Sequence, residues 1–379
     1  MELIATCAFG LEKLVQDELK KLGLPVLKTE DGRITFEGDE TALMKTNLWL
    51  RCADRIQIKM GEFQATTFDE LFDMVGVLPW EKYIGKSDAF PVDATSVKSI
   101  LHSEPAIQSI VKKSVVKRLQ LKHKSEILSE NSGVTYQIMV KSNKDQFVIT
   151  IDSSGDSLHK RGYRTKTNDA PMKETLAAAM VKLSDWTPDR TLVDPFCGSG
   201  TILIEAALAA QNKAPGLNRT FAFEKWPWMD KKQFEKNHTE IQEAEKSDVK
   251  LRIYGFDIDA GILRTAGGNA GNAGFRNINF QCTDFHDLDF TKFENATFIC
   301  NPPYGERLED KPSVEKMYRE FGKEFTQAKN CSLFIITPVE NFPQLFGRPA
   351  DKNRKLFNGG IKCYLFSFFS KEPPIQVTL

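Results

Sequence analysis

The last two strand-like runs of the chain, Arg354–Phe357 and Ile361–Phe369, are joined only by Asn358-Gly359-Gly360. Three residues are too few for the crossover that parallel neighbours need, so this pair must form an antiparallel hairpin. Everything before it reads the other way. Strand-like runs recur at Thr191–Phe196, Leu251–Asp257, Asn277–Asp284, Ala296–Cys300 and Ser332–Thr337, with helical patterns between them. The clearest helix puts Val314, Met317, Tyr318, Phe321 and Phe325 on one face. Such alternation predicts an α/β domain with a parallel sheet covered on both sides by helices. The seven runs together predict a mostly parallel seven-stranded sheet finished by an antiparallel hairpin.

At 379 residues the chain exceeds a single core, so two or three domains are expected. The first sixty residues read as β-α-β-β-α-β, the order of a ferredoxin-like module. Leu11, Leu14, Val15, Leu19 and Leu22 mark its first helix, and Glu30-Asp31-Gly32 the turn between two short strands. A second α+β unit follows, with a helix near Ala106–Leu121 whose buried stripe is Ile107, Ile110, Val111, Val115 and Leu119. The expected divisions are 1–62, 63–155 and 156–379. No chemistry is legible in the first 155 residues.

Basic and acidic residues balance at 51 each, so no global field draws this chain onto nucleic acid. Locally, Lys98 to Lys124 carries a net charge of +6, with Lys112, Lys113, Lys117 and Arg118 largely off the apolar stripe. Such a face can neutralise phosphates or simply be solvated. No apolar run is long enough to cross a bilayer, and the N-terminus is too short and acidic for a secretory signal. Seven scattered cysteines without a C-x-x-C pair point to reduced thiols and no metal site. The expectation is a cytoplasmic protein with no membrane contact.

Three features converge beyond the C-terminal ends of the parallel strands, where open sheets bind ligands. Asp194-Pro195-Phe196-Cys197-Gly198-Ser199-Gly200-Thr201 lies between a strand and a helix, and its glycines let a ligand approach the backbone near a helix N-terminus. Asp257 ends the next strand, where a carboxylate can accept from both hydroxyls of a ribose. Asp284 ends the one after, within reach of an adenine edge. Each Asp taken singly reads more readily as a helix N-cap. Together with the glycines they favour a nucleoside-containing cofactor.

Asn301-Pro302-Pro303-Tyr304 follows the fourth strand of this sheet. Two prolines remove two backbone donors and stiffen the turn. The Asn301 side-chain oxygen and the Pro302 carbonyl can then accept both hydrogens of a planar amino group. That pairing draws the nitrogen lone pair out of conjugation and aims it at an electrophile, while Tyr304 offers a face for stacking a base.

D-P-F-C-G-S-G-T, the acid of Y-G-F-D-I-D, the acid of C-T-D-F and N-P-P-Y together resemble the motifs of class I amino-methyltransferases, a Rossmann-like fold. The run His159-Lys160-Arg161-Gly162-Tyr163-Arg164, then Ala170-Pro171-Met172-Lys173-Glu174-Thr175-Leu176-Ala177-Ala178, is more particular. With N-P-P-Y-G-E-R-L at 301–308 it resembles RNA guanine-N2 methyltransferases with a THUMP domain, of the RlmL type that modifies 23S rRNA. The resemblance spans essentially the whole chain. It implies S-adenosylmethionine bound by Asp194, Phe196, Gly198, Gly200, Thr201, Asp257, Ile258, Asp284, Phe285 and Asn301. It implies that Asn301, Pro302 and Tyr304 carry the transfer of a methyl group to an amino nitrogen. RNA is the implied partner, gripped by ferredoxin-like and THUMP modules, with Lys112, Lys113, Lys117, Arg118, Arg161 and Arg164 as the contacts expected. Some RlmL-type enzymes carry a second methyltransferase on the same chain; this sequence ends at Leu379 without one, leaving the single N2-guanine activity as the expectation. N-P-P-Y also serves enzymes acting on DNA adenine or glutamine, related THUMP enzymes act on tRNA, and a non-catalytic RNA-binding factor with a vestigial site is a further reading.

One spacing departs from a compact βαβ unit. Gly200 and Asp257 are 57 residues apart, against about 20 in that unit. The excess carries Phe221, Phe223, Trp226 and Trp228 and a charged helix through about Glu245. The aromatics are either local packing or a base-stacking surface.

Overall fold

The structure, a computed structural model, describes residues 1–164, 172–305 and 311–370. Of the motifs above, Ala170, Pro171 and Glu306–Leu308 lie outside the described residues. The ferredoxin-like order appears as β1 (Glu2–Thr6), α1 (Glu12–Lys21), β2 (Val26–Glu30), β3 (Arg33–Glu37), α2 (Glu40–Trp49) and β4 (Arg55–Gln64). Asp39 caps α2 by accepting from the Ala42 N–H at 2.8 Å. The next unit is α3 (Phe68–Gly76), β5 (Val92–Val97), α4 (Glu104–His123), β6 (Gln137–Asn143) and β7 (Gln146–Asp152). Thr67 and Glu70 form a reciprocal capping box that starts α3.

The two units share one sheet, in the order β2-β3-β1-β4-β7-β6-β5. β4 is long enough to belong to both: Arg55–Ile58 pairs with β1, and Gln57–Gln64 pairs with β7, with a register shift between Lys59 and Gly61. The expected division near residue 62 thus falls inside a continuous hydrogen-bonded strand.

The remaining elements are α5 (Glu174–Leu183), β8 (Leu192–Asp194), α6 (Thr201–Ala210), α7 (Lys231–Glu243), β9 (Ile253–Asp257), α8 (Ala260–Asn272), β10 (Asn279–Cys282), β11 (Thr297–Cys300), α9 (Lys311–Phe325), β12 (Ser332–Thr337), α10 (Phe342–Phe346), β13 (Lys352–Asn358) and β14 (Ile361–Phe368). Their sheet runs β10-β9-β8-β11-β12-β14-β13. β10 to β12 are parallel, and β13 and β14 form the antiparallel hairpin that the three-residue link demands. One expectation fails: β10 and β11 are joined by two 3-10 turns, Phe285–Asp287 and Phe290–Lys292, instead of an α-helix. Chain order reverses between β8 and β11, so the loops after these two strands flank a topological switch point. No helix among the described residues is long and apolar enough to cross a membrane.

The aromatic insert decides between its two readings. Trp226 is fully buried, stacked on Tyr136 with ring centroids 5.0 Å apart, and its indole N–H donates to the Thr135 carbonyl at 3.2 Å. Trp228 stacks on Trp226 and meets Tyr83 edge-on. Phe221 and Phe223 are buried and stacked on each other. The insert is a clasp between the C-terminal domain and the segment leading into β6. A buried indole has no face left for a base, so Trp226 serves local packing and not base stacking.

Candidate active site

The loop after β8 is held from four sides. Cys197 N–H donates to the Phe256 carbonyl at 2.9 Å, Gly198 N–H to the Asp257 carboxylate at 3.0 Å, and Gly200 N–H to the Cys197 carbonyl at 2.8 Å. Asn269 of α8 donates to the Ser199 carbonyl at 3.2 Å. Gly198 and Gly200 both adopt positive φ, 51° and 80°, a region open to glycine at little cost. They differ in what surrounds them. A Cβ on Gly200 would meet the Phe280 ring at 3.1 Å, whereas one on Gly198 would meet nothing within 4 Å. The backbone at Gly198 therefore lies open to a ligand, directly beside Asp257.

Asp257 ends β9, its carboxylate fixed by the N–H groups of Gly198 and Asp259, each at 3.0 Å. Carboxylate oxygens accept about four hydrogen bonds, so capacity remains for a diol. The neighbouring Ile258 is 71% exposed, an apolar side chain left where an adenine face could cover it. These residues fit a nucleoside-bearing donor. Asp284 lies beyond the end of β10 and caps the short turn after it, accepting from the His286 N–H at 3.0 Å and the His286 ring at 2.7 Å. The backbone bond and the imidazole beside it hold the Asp284 carboxyl below its ordinary range. Phe285 is buried, packed with Phe196 at 5.4 Å, beneath the loop. Asp194 is buried too, accepting from the Phe196 N–H at 3.0 Å, and burial pushes its carboxyl well up. It shapes the loop from below.

Across the switch point, Asn301 is partly exposed and Pro302 is buried. Tyr304 turns back: its hydroxyl donates to the Asn301 side-chain oxygen and receives the Asn358 amide at 3.3 Å, with Cys363 3.8 Å away. The terminal hairpin thus braces the tyrosine. Its ring packs at the edge of the core yet also lines a pocket of about 680 Å³.

Two expected RNA contacts are corrected. Arg161 is 3% exposed and spends its guanidinium inside, on the carbonyls of Leu158 and Arg51 and on the Glu205 carboxylate at 3.4 Å. Arg164 pairs with Glu174 at 3.3 Å and reaches the Thr201 hydroxyl and the Met172 carbonyl. Arg51 itself donates to the Leu208 and Lys213 carbonyls. The run at 159–164 therefore joins the N-terminal module to α6 and the end of the glycine loop. Removing one partner of a buried charge pair strands the other, at about 3–5 kcal/mol. Arg161→Ala is expected to lower the unfolding free energy by that amount in urea titrations; an unchanged midpoint and slope would argue against the network. On α4, Lys113 and Lys117 are exposed, while Lys112 pairs with Glu130 at 2.7 Å and Arg118 with Glu81 at 2.6 Å.

Comparison with known proteins agrees with this layout. Residues 2–57 match the RlmL ferredoxin-like domain, 65–152 the THUMP domain, and 161–366 the RMKL-like methyltransferase domain. The chain belongs to the RMKL-like methyltransferase family. YpsC of Bacillus subtilis (strain 168), whose name places it among RNA methyltransferases, is 46% identical over 98% of this chain and 97% of that protein. Ribosomal RNA large subunit methyltransferase K/L of Colwellia psychrerythraea (strain 34H) is 32% identical over 96% of this chain, which spans 52% of that longer protein. The crystal structure of SMU.472, assigned to the methyltransferases and complexed with SAH, superposes with a TM-score of 0.93 at 45% identity, covering 98% of each chain.

Several residues of this RMKL-like site escape a reading by motif. Asn358 and Cys363 reach Tyr304 only because β14 pairs with β12, which brings the hairpin within one strand of β11. Glu205 is the one acid in an otherwise apolar α6, a signal of a buried partner that Arg161 supplies.

Proposed function

We propose that this chain transfers the methyl group of S-adenosylmethionine to the exocyclic N2 of a guanine in RNA, with 23S rRNA as the target. The observation that carries the reading is Asn301, its side-chain oxygen at the end of β11 across the switch point from the open backbone at Gly198. S-adenosylmethionine, when bound, supplies a methyl group already activated on a sulfonium. Asp257 and the Gly198 backbone hold the nucleoside end. Asn301 and the Pro302 carbonyl accept the hydrogens of the amino group and turn its lone pair towards the donor. Tyr304 already occupies one lone pair of the Asn301 oxygen; an amide oxygen has two, so the same tyrosine that fixes the side chain leaves it able to accept. The N–C bond forms as the S–C bond breaks, and the amine, acidic once methylated, gives its proton to water. Orientation supplies most of the rate, and the base enters unstacked.

RNA is favoured by the THUMP match over 65–152, by the exposed Lys113 and Lys117, and by the names of YpsC and the K/L enzyme. Incubation with labelled S-adenosylmethionine and separate pools of unmodified 23S rRNA, transfer RNA and DNA tests the choice. Label in 23S rRNA is expected. Label only in transfer RNA would move the target, label only in DNA would replace the substrate class, and none in any pool would favour a binding factor.

A further inference from the structure

The pocket of about 680 Å³ beside Tyr304 and Gly305 is not explained by the cofactor or by the amino-group clamp. Its volume falls within the roughly 300–1,000 Å³ of small-molecule sites. Val314, Val339 and Ile361 give it apolar walls, and Ile361 is 43% exposed. Two charged side chains line it, Lys311 and Glu315, both in the first two turns of α9.

α9 is tied to the motif. The Tyr318 hydroxyl donates to the Pro303 carbonyl at 3.4 Å and meets the Thr337 hydroxyl at 2.9 Å. Lys311, Glu315 and Tyr318 are spaced i, i+4 and i+7, so they share one face of the helix. Anchoring Tyr318 under Pro303 therefore sets the Glu315 carboxylate one turn and the Lys311 ammonium two turns further along, lining the same pocket as Tyr304. Among the described residues Glu315 pairs with Arg319 alone, at 3.0 Å on the exposed side, and Lys311 makes no ion pair. Both have capacity to spare.

Resting on the proposed guanine-N2 reading, the geometry points to Glu315 and Lys311 as the residues that select guanine. Along the Watson–Crick edge of guanine the amino group at C2 is followed by the N1–H donor and then the O6 acceptor. With the amino group on Asn301, the Glu315 carboxylate accepts from N1–H and the Lys311 ammonium donates to O6. Adenine presents an acceptor where guanine presents N1–H and a donor where it presents O6, so both contacts would fail. Flipped bases are read through this edge, and a site built for a hydrogen bond rejects the analogue that lacks it.

The modified guanine is first mapped on a 23S rRNA transcript methylated by the full chain. A second transcript then carries 2-aminopurine at that position, which keeps the amino group but lacks N1–H and O6. Wild type is expected to prefer guanine by roughly 10- to 100-fold in kcat/KM, the discrimination usual for a paired base contact. Glu315→Ala and Lys311→Ala should each lose about 10-fold on guanine, hold their rate on 2-aminopurine, and bind S-adenosylmethionine as wild type does. The assignment is overturned if both variants keep the wild-type preference. If wild type makes no N2-methylguanosine at all, the proposed function falls as well, which separates the two failures.

Discussion

Asn301→Ala is expected to lower turnover by on the order of 10²–10³-fold, the usual cost of removing one preorganised hydrogen-bonding group aimed at a reacting centre. Without the side-chain oxygen the amino lone pair stays conjugated with the ring. The nucleoside end of the cofactor is proposed to rest on other residues, Gly198, Asp257 and Ile258, so binding of S-adenosylmethionine should change little. The Tyr304 hydroxyl would lose the acceptor it now uses, costing about 1 kcal/mol, too little to unfold a domain. Single-turnover rates and calorimetric cofactor titration check both halves. Retained turnover would remove Asn301 from the chemistry.

Trp226→Ala should act through stability instead. The indole is fully buried between Tyr136 and Trp228, and its N–H is bonded to Thr135. Truncating a buried tryptophan costs about 3–5 kcal/mol, part of it the cavity left behind. Because the clasp joins the C-terminal domain to the sheet that contains β6, melting is expected at lower temperature, with RNA and cofactor binding lost together on heating. A variant with wild-type melting and a loss confined to RNA would restore the stacking role.

The C-terminal domain is legible because its signals are local. A three-residue link admits only a hairpin, and a glycine loop or an N-P-P-Y turn at a strand end states its own geometry. The missing helix between β10 and β11 is a case where the alternation misleads: Phe285 and Phe290 open two short 3-10 turns in its place, and Phe293 follows the second. Arg161 and Arg164 mislead for another reason. Arginine is almost never fully buried unless paired, and the pair here, Glu205, is 44 residues away on α6. The continuity of the N-terminal sheet through β4 and the clasp at Trp226 are likewise products of pairing between distant segments, which no window of sequence contains.

The chemical identity of the product tests the account most directly. Unmodified 23S rRNA treated with the enzyme and S-adenosylmethionine is digested to nucleosides and resolved by mass spectrometry against standards. N2-methylguanosine is expected, absent when Asn301→Ala replaces the wild-type protein. N6-methyladenosine in its place, or a methyl group on a ring carbon or ribose oxygen, would contradict it.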